Sequence, residues 1–493
     1  MKILTFAKKH LAVISLLLMG LMMATHVFVN HLMFRTYALD LGVYTHALWQ
    51  YAHGIWADCG MFVEGGADVS LLHDHFDLYL ILLSPLVYIF GSYTLLVVQV
   101  VSLLFGAYGV FRFLQFGQDT QDKGTSRIFL PWLGMLSYLA FFGTWHALCY
   151  DYHSNVVAVN FLPWMFLWLK QQRFGWALFS VLMVCISKES APLWMFFVVI
   201  GLMIEYWGNR KSMRWLAGYG AFCILYFLIV SMVVMPLIGG GASPGFWRYD
   251  HMGNSMSEVA LFMLQHPWQS VCMFFSNFLH DANNAGLKLE FWLCCAASGM
   301  LLLFFRPQYL VMMLPPLLLK LMSRDICFWG VEFQYNIEFA PIIVIGSFSV
   351  IASWCQNKDR RFGSILPLLA FLLTISTTIY TCGNPKTWVR QANLRIFDPI
   401  HYHQQDFNRQ FAQSLITQIP DSASVCATSP FVPHLSLRDK VTEFPIGADQ
   451  SDYLLLFESD NQTIEKIAEI KADTLHYRIV ASDDTLWLIS RIR

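Results

Sequence analysis

Charge is scarce in this sequence. Asp, Glu, Lys and Arg make up 13% of the 493 residues, whereas a soluble domain carries about a quarter. The formal net charge is -1. There is no basic excess of the kind that follows a phosphate backbone, so nucleic acid is excluded as an expected partner. The 11 cysteines contain no Cys-x-x-Cys pair, which leaves no sequence signal for a zinc site or a dithiol redox centre. Cys185, Cys223, Cys294 and Cys295 lie in apolar runs and read as small buried hydrophobes. No glycine-rich phosphate loop, internal repeat or low-complexity stretch is present. The missing repeat weighs against transporters built from repeats.

What is abundant is apolar surface. Hydrophobic residues are 56% and aromatics 16%, with 17 Trp and 41 Phe. Such a chain needs a solvent other than water, and its rings suit a bilayer and its headgroup level. A helix crossing the hydrocarbon needs about 20 apolar residues. The hydropathy pattern predicts about eleven spans on that criterion: 11–30, 93–115, 128–148, 155–169, 174–187, 190–208, 214–236, 290–305, 308–322, 338–355 and 363–382. Lys8 and Lys9 precede the apolar stretch Leu11–Val29 as in a signal peptide. No clean small-residue cleavage site follows, so the stretch reads as an uncleaved first span.

Positive charge orients the spans, because cytoplasmic loops collect Lys and Arg. With Lys8 and Lys9 inside, the inner loops carry Lys123 and Arg127; Lys170 and Arg173; Arg210, Lys211 and Arg214; Arg306; and Lys358, Arg360 and Arg361. The expected layout is a transmembrane domain over 1–382 and a small extracytoplasmic α/β domain over 383–493. The expected elements of that domain are helix 403–418, strands 423–428 and 452–457, helix 463–472, and strands 476–481 and 485–492. Asp483-Asp484 is the turn of the last hairpin. Two outer loops are long. The first, 31–92, holds two broken apolar pieces, Leu39–Tyr51 and Phe76–Phe90, that read as interfacial helices. The second, 237–289, opens with Gly239-Gly240-Gly241, a flexible start.

Ionisable residues gather on the predicted outer side, and charge at a membrane marks a site by default. The first loop carries Arg35, Asp40, His46, Asp68, His73, Asp74, His75 and Asp77. Later loops bring Asp151 and His153, then Lys188-Glu189, then Arg324, Asp325, Glu332 and Glu338. Asp40 is either a helix cap or an acid–base group, with Gly42 letting the backbone turn beside it. His73-Asp74-His75 reads as a polar loop or as part of a metal site, although two histidines fall short of a ligand set. Lys188 either neutralises Glu189 or meets a phosphate as a point charge. Arg248, between Trp247 and Tyr249, is an interfacial anchor or a phosphate contact.

The order of several short motifs resembles a bacterial membrane-protein family known only as a predicted membrane domain of unknown function. The motifs are Asp40-Leu41-Gly42 with Ala47-Leu48-Trp49 and His53-Gly54, then Asp74-His75-Phe76 before Ser84-Pro85-Leu86. Tyr152-His153, Lys188-Glu189, Ile419-Pro420 and Val432-Pro433-His434-Leu435 follow. That family looks like a branch of the GT-C superfamily of membrane glycosyltransferases. The resemblance implies a GT-C-like α-helical polytopic fold in the bacterial cytoplasmic membrane. It implies transfer from a polyprenyl-phosphate-linked sugar donor to a lipid, glycan or protein acceptor on the outer face. Asp40 then stands at the position of the first-loop catalytic acid. His75, Asp77, His153, Lys188, Glu189 and Arg248 are the substrate-binding candidates, and no cofactor or metal is called for. A lipid or polysaccharide transporter or flippase and a non-catalytic envelope assembly protein are the alternatives.

Overall fold

The computed structural model describes residues 2–66, 69–117, 126–239, 246–280, 285–357, 362–383, 396–404 and 406–492. Asp68, Lys123, Lys358, Arg360, Arg361, Gly240 and Gly241 fall outside the described residues. The chain is mostly helical with a small C-terminal sheet. It divides into two compact units. The larger comprises Met1–Met23, Gln99–Pro236 and Gly241–Leu394, and the second comprises Ala24–Val98, Leu237–Gly240 and Arg395–Arg493.

Among the described residues four helical segments are long and apolar enough to cross a membrane: His10–Leu32, Tyr79–Phe116, Arg210–Gly239 and Ile365–Cys382. They match the expected spans 11–30, 93–115, 214–236 and 363–382. They also leave large apolar side chains such as Leu18, Met232 and Ile379 exposed, which is at home in lipid and costly in water. Phe174–Cys185, Ala191–Glu205, Gln308–Leu321 and Phe339–Cys355 are apolar helices of 10–17 residues.

Three expected spans are broken, each at an identifiable place in the larger unit. The segment 128–148 divides into Ser126–Leu139 and Phe142–Leu148, and the Ala140 carbonyl at the break accepts a hydrogen bond from the Thr378 hydroxyl. The segment 155–169 becomes Ser154–Ala158, a 3-10 turn and Leu162–Lys170. The Asn160 side chain in that turn bonds the Tyr138 hydroxyl at 2.6 Å. The segment 290–305 becomes Leu287–Ala297 and a 3-10 stretch Met300–Phe305, joined through Gly299 at φ 110°. That conformation suits glycine.

In the second unit, five strands form one sheet: β1 (Val425–Ala427), β2 (Val441–Glu443), β3 (Tyr453–Phe457), β4 (Tyr477–Ser482) and β5 (Leu486–Arg491). Their order is β2-β1-β3-β5-β4. β1 is parallel to both β2 and β3, while β5 is antiparallel to β3 and β4. Helix Asn461–Ala472 starts at a capping box made by Asp460 and Thr463, which satisfies amides a helix start leaves open. Its Ile467 and Ile470 pack on Cys426, Leu454, Leu456 and Ile489. Helix Arg409–Thr417 is capped by Asn408. The Asp483 carboxylate accepts from the Thr485 and Leu486 amides at 2.9 and 2.7 Å, closing the hairpin where Asp483-Asp484 predicts it. Strand β2 was not expected.

Candidate functional site

Asp40 sits in a five-residue π-helical turn, Ala38–Gly42, that runs into helix Val43–Ala52. Ala38, Leu41 and Gly42 are buried while Asp40 is half-buried, so the turn is anchored and its carboxylate reaches the edge. The residues at the two N-cap positions, Tyr37 before the turn and Gly42 before the helix, make no side-chain capping bond. Gly42 does not serve as a bend. Its φ and ψ are -61° and -56°, ordinary helical values open to any residue. Its small size matters instead, because a Cβ there would lie 3.0 Å from Val432 Cγ1.

The segment that meets this turn comes from the C-terminal half of the same unit. The Ala38 amide donates to Ser429 Oγ at 3.1 Å, the Ser436 hydroxyl donates to the Gly42 carbonyl at 3.0 Å, and His46 Nδ1 lies 3.1 Å from the Ser436 carbonyl. Arg35 donates to the His401 carbonyl at 2.7 Å. Helix Val43–Ala52 buries Tyr44, Ala47 and Leu48, so its apolar face is spent on protein. The pieces Tyr79–Leu83 and Val87–Phe90, expected as an interfacial helix, expose Leu82, Tyr88 and Ile89 and belong to the same long apolar segment, Tyr79–Phe116, as the span expected over 93–115.

The His-Asp-His stretch divides. His73 is buried in the short helix Leu71–Asp74, while His75 Nε2 lies 4.0 Å from Asp74 Oδ2. Asp77 is buried and accepts from the Tyr79 amide at 2.9 Å, which fixes the start of the next helix. Among the described residues no three His, Cys, Asp or Glu side chains form a metal-holding group.

The larger unit gathers the other candidates. Gln99 donates to the Asp151 carbonyl at 2.8 Å and accepts from the His153 amide at 3.2 Å. Ser154 donates to the Ser187 carbonyl at 2.7 Å, which ties the His153 loop to the Lys188-Glu189 loop. Asn155 donates to Glu338 Oε1 at 2.6 Å, bringing in a third loop. Lys188 is near enough to Glu338 for their charges to interact. Thus His153, Lys188 and Glu189 do lie on loops that meet. Arg248 is committed elsewhere: its Nε lies 3.2 Å from Asp325 Oδ2, and its guanidinium stacks over Trp247 and Phe328.

Two buried lysines escaped the sequence reading. Lys288 donates to the Met273 and Leu321 carbonyls at 2.5 and 2.7 Å, and Lys320 to those of Phe328 and Gly330. Each ammonium replaces water with backbone oxygens and with aromatic faces, Trp329 for Lys288 and Phe291 for Lys320. Helices Leu287–Ala297 and Phe362–Cys382 line a shallow open cavity of about 440 Å³, with Leu289, Leu293, Ala297 and Leu373 on its walls and Glu290 and Tyr380 among its polar groups.

A family model described as a predicted membrane protein (DUF2079) matches residues 30–488. The chain belongs to this family. The match takes in most of both compact units, the Asp40 turn and the C-terminal sheet as far as the first half of its last strand. No curated protein matches the sequence.

Proposed function

We propose that the protein is a GT-C-like glycosyltransferase of about eleven spans, moving a sugar from a polyprenyl-phosphate donor to an acceptor on the outer face of the bacterial cytoplasmic membrane. The observation that carries this reading is the Asp40 turn: an anchored, half-exposed carboxylate directly after the first long apolar helix. Asp40 takes the proton of the acceptor hydroxyl as that oxygen bonds to the anomeric carbon. The anomeric carbon–oxygen bond to the phosphate breaks, and its electron pair leaves with the polyprenyl phosphate. A single displacement inverts the anomeric centre, as no second carboxylate is assigned as nucleophile.

Charge growing on the leaving phosphate needs a cation. Lys188 is preferred for this over Arg248, whose guanidinium is held by Asp325. His75, Asp77, His153 and Glu189 are proposed to shape the substrate sites, Asp77 by holding the helix start. The apolar cavity of the larger unit suits a prenyl tail. The alternation of basic loops supports an extracytoplasmic C-terminal domain.

Polyprenyl monophosphate, the leaving group itself, is the probe that needs no knowledge of the sugar. Purified full-length protein in lipid nanodiscs should bind it, and Lys188→Ala should weaken binding by about 10-fold or more, the scale of a lost charge-assisted bond. Lys188→Arg should retain most of it. Unchanged binding in Lys188→Ala, with a less stable protein, makes Lys188 a structural ion-pair partner.

A further inference from the structure

β1 and β2 run parallel with Ala427 opposite Glu443, so both strands end on one edge of the sheet. In open α/β sheets, that carboxyl edge is where ligands are met. Here it presents Ser429, two residues past β1, and Glu443, the last residue of β2. The Ser429 hydroxyl donates to the Glu443 carboxylate. The same oxygen accepts from the Ala38 amide at 3.1 Å, and Ala38 opens the turn that carries Asp40. A continuous hydrogen-bonded chain therefore links the strand end to the Asp40 turn. The Glu443 amide adds a second tie, donating to the Met61 carbonyl of the first loop at 2.9 Å.

Among the described residues, the titratable groups facing Glu443 are Asp40 and the Cys426 thiol of β1. Burial raises the Glu443 carboxyl above its ordinary range, the Ser429 hydrogen bond offsets part of that rise, and the negative charge of Asp40 adds a smaller upward push. Two carboxyl groups that feel one another do not ionise together easily, and environment decides which one keeps the proton.

We infer that Glu443 is the second carboxyl group of the Asp40 site, a positioning residue supplied by the C-terminal domain that fixes the Asp40 turn through Ser429 and leaves Asp40 to take the acceptor's proton. This gives the C-terminal sheet a part in the chemistry. It rests on the glycosyl-transfer reading for the reaction, whereas the carboxyl pair itself does not.

Infrared titration of the full-length protein in nanodiscs, followed at the protonated-carboxyl stretch, separates the two. A band that titrates above the ordinary glutamate range should vanish in Glu443→Gln. Its midpoint should fall in Asp40→Asn, which removes the neighbouring negative charge. A midpoint indifferent to Asp40→Asn, or a band that survives Glu443→Gln, overturns the pair. Membranes given synthetic polyprenyl-phosphate hexose and pentose donors supply the second readout, release of polyprenyl monophosphate. Glu443→Gln and Ser429→Ala should lower kcat and displace the pH profile while KM for the donor holds. If Asp40→Asn abolishes release but Glu443→Gln alters neither kcat nor the profile, the inference falls and the glycosyl-transfer reading stands. If the infrared coupling is present but release ignores Asp40→Asn, the pair stands and that reading falls.

Discussion

His434 shows how a single side chain makes the second unit sensitive to acid. Its ring stacks on His31 with centroids 4.2 Å apart and meets Phe34 at the same distance. Burial lowers its pKa to about 4 from 6.5. The unfolded chain therefore takes up a proton near pH 6.5 that the folded chain accepts only near 4. Between those values the unfolded state binds more protons, so stability falls as pH falls through the window and levels off below it. Heating the full-length protein while following exposure of the buried Cys426 thiol should give lower midpoints at pH 5 than at pH 7.5. His434→Phe keeps the ring contacts and removes the titration, so it should flatten that slope; an unchanged slope assigns the acid response to another group. At this scale the sequence was partly legible. Asp40 stands out because a carboxylate soon after a long apolar run has few structural duties. Ser429 and Glu443 do not stand out, because their significance depends on a bond between residues 391 positions apart.

At the scale of elements, the Asp40 turn and the segment after β1 are held by close approach. Gly42 leaves room for Val432, and the Ser436 hydroxyl caps the gap by bonding the Gly42 carbonyl. Gly42→Leu places a branched side chain where a Cβ alone would already press on Val432 at 3.0 Å. It should separate the two segments and open 429–436 to limited proteolysis, with a stability loss of about 1–3 kcal/mol, the cost usual for overpacking. Protease resistance equal to the parent protein contradicts this packing account. The sheet was legible where apolar strands run five or six residues, as in β3 and β5. β2 was not, because three residues ahead of Phe444-Pro445 carry too little pattern. Long helices were legible from hydropathy alone. The breaks at Ala140 and Asn160 were not, since they are supported by partners remote in sequence, Thr378 and Tyr138; the break at Gly299 rests on local bonds and a positive φ that hydropathy does not register.

The whole molecule pairs apolar helices with a domain that is largely polar outside its core. Alternating basic loops predict that the domain lies beyond the cytoplasmic membrane. A phosphatase fused after Arg493 should be active there, and a fluorescent protein fused at the same point should stay dark; the reverse pattern requires the opposite parity of spans. The central claim is that the assembly transfers sugar, with Asp40 as base. Asparagine keeps the size of aspartate and removes its charge, so Asp40→Asn tests the chemistry with the least disturbance of the turn. The most direct measurement is release of polyprenyl monophosphate from synthetic polyprenyl-phosphate hexose and pentose donors in membranes holding equal amounts of parent and Asp40→Asn protein. With Asp40 as base, the variant should fold and its release rate should fall by about 10²-fold or more, the scale of a lost general base. Release at the parent rate from the folded variant contradicts it.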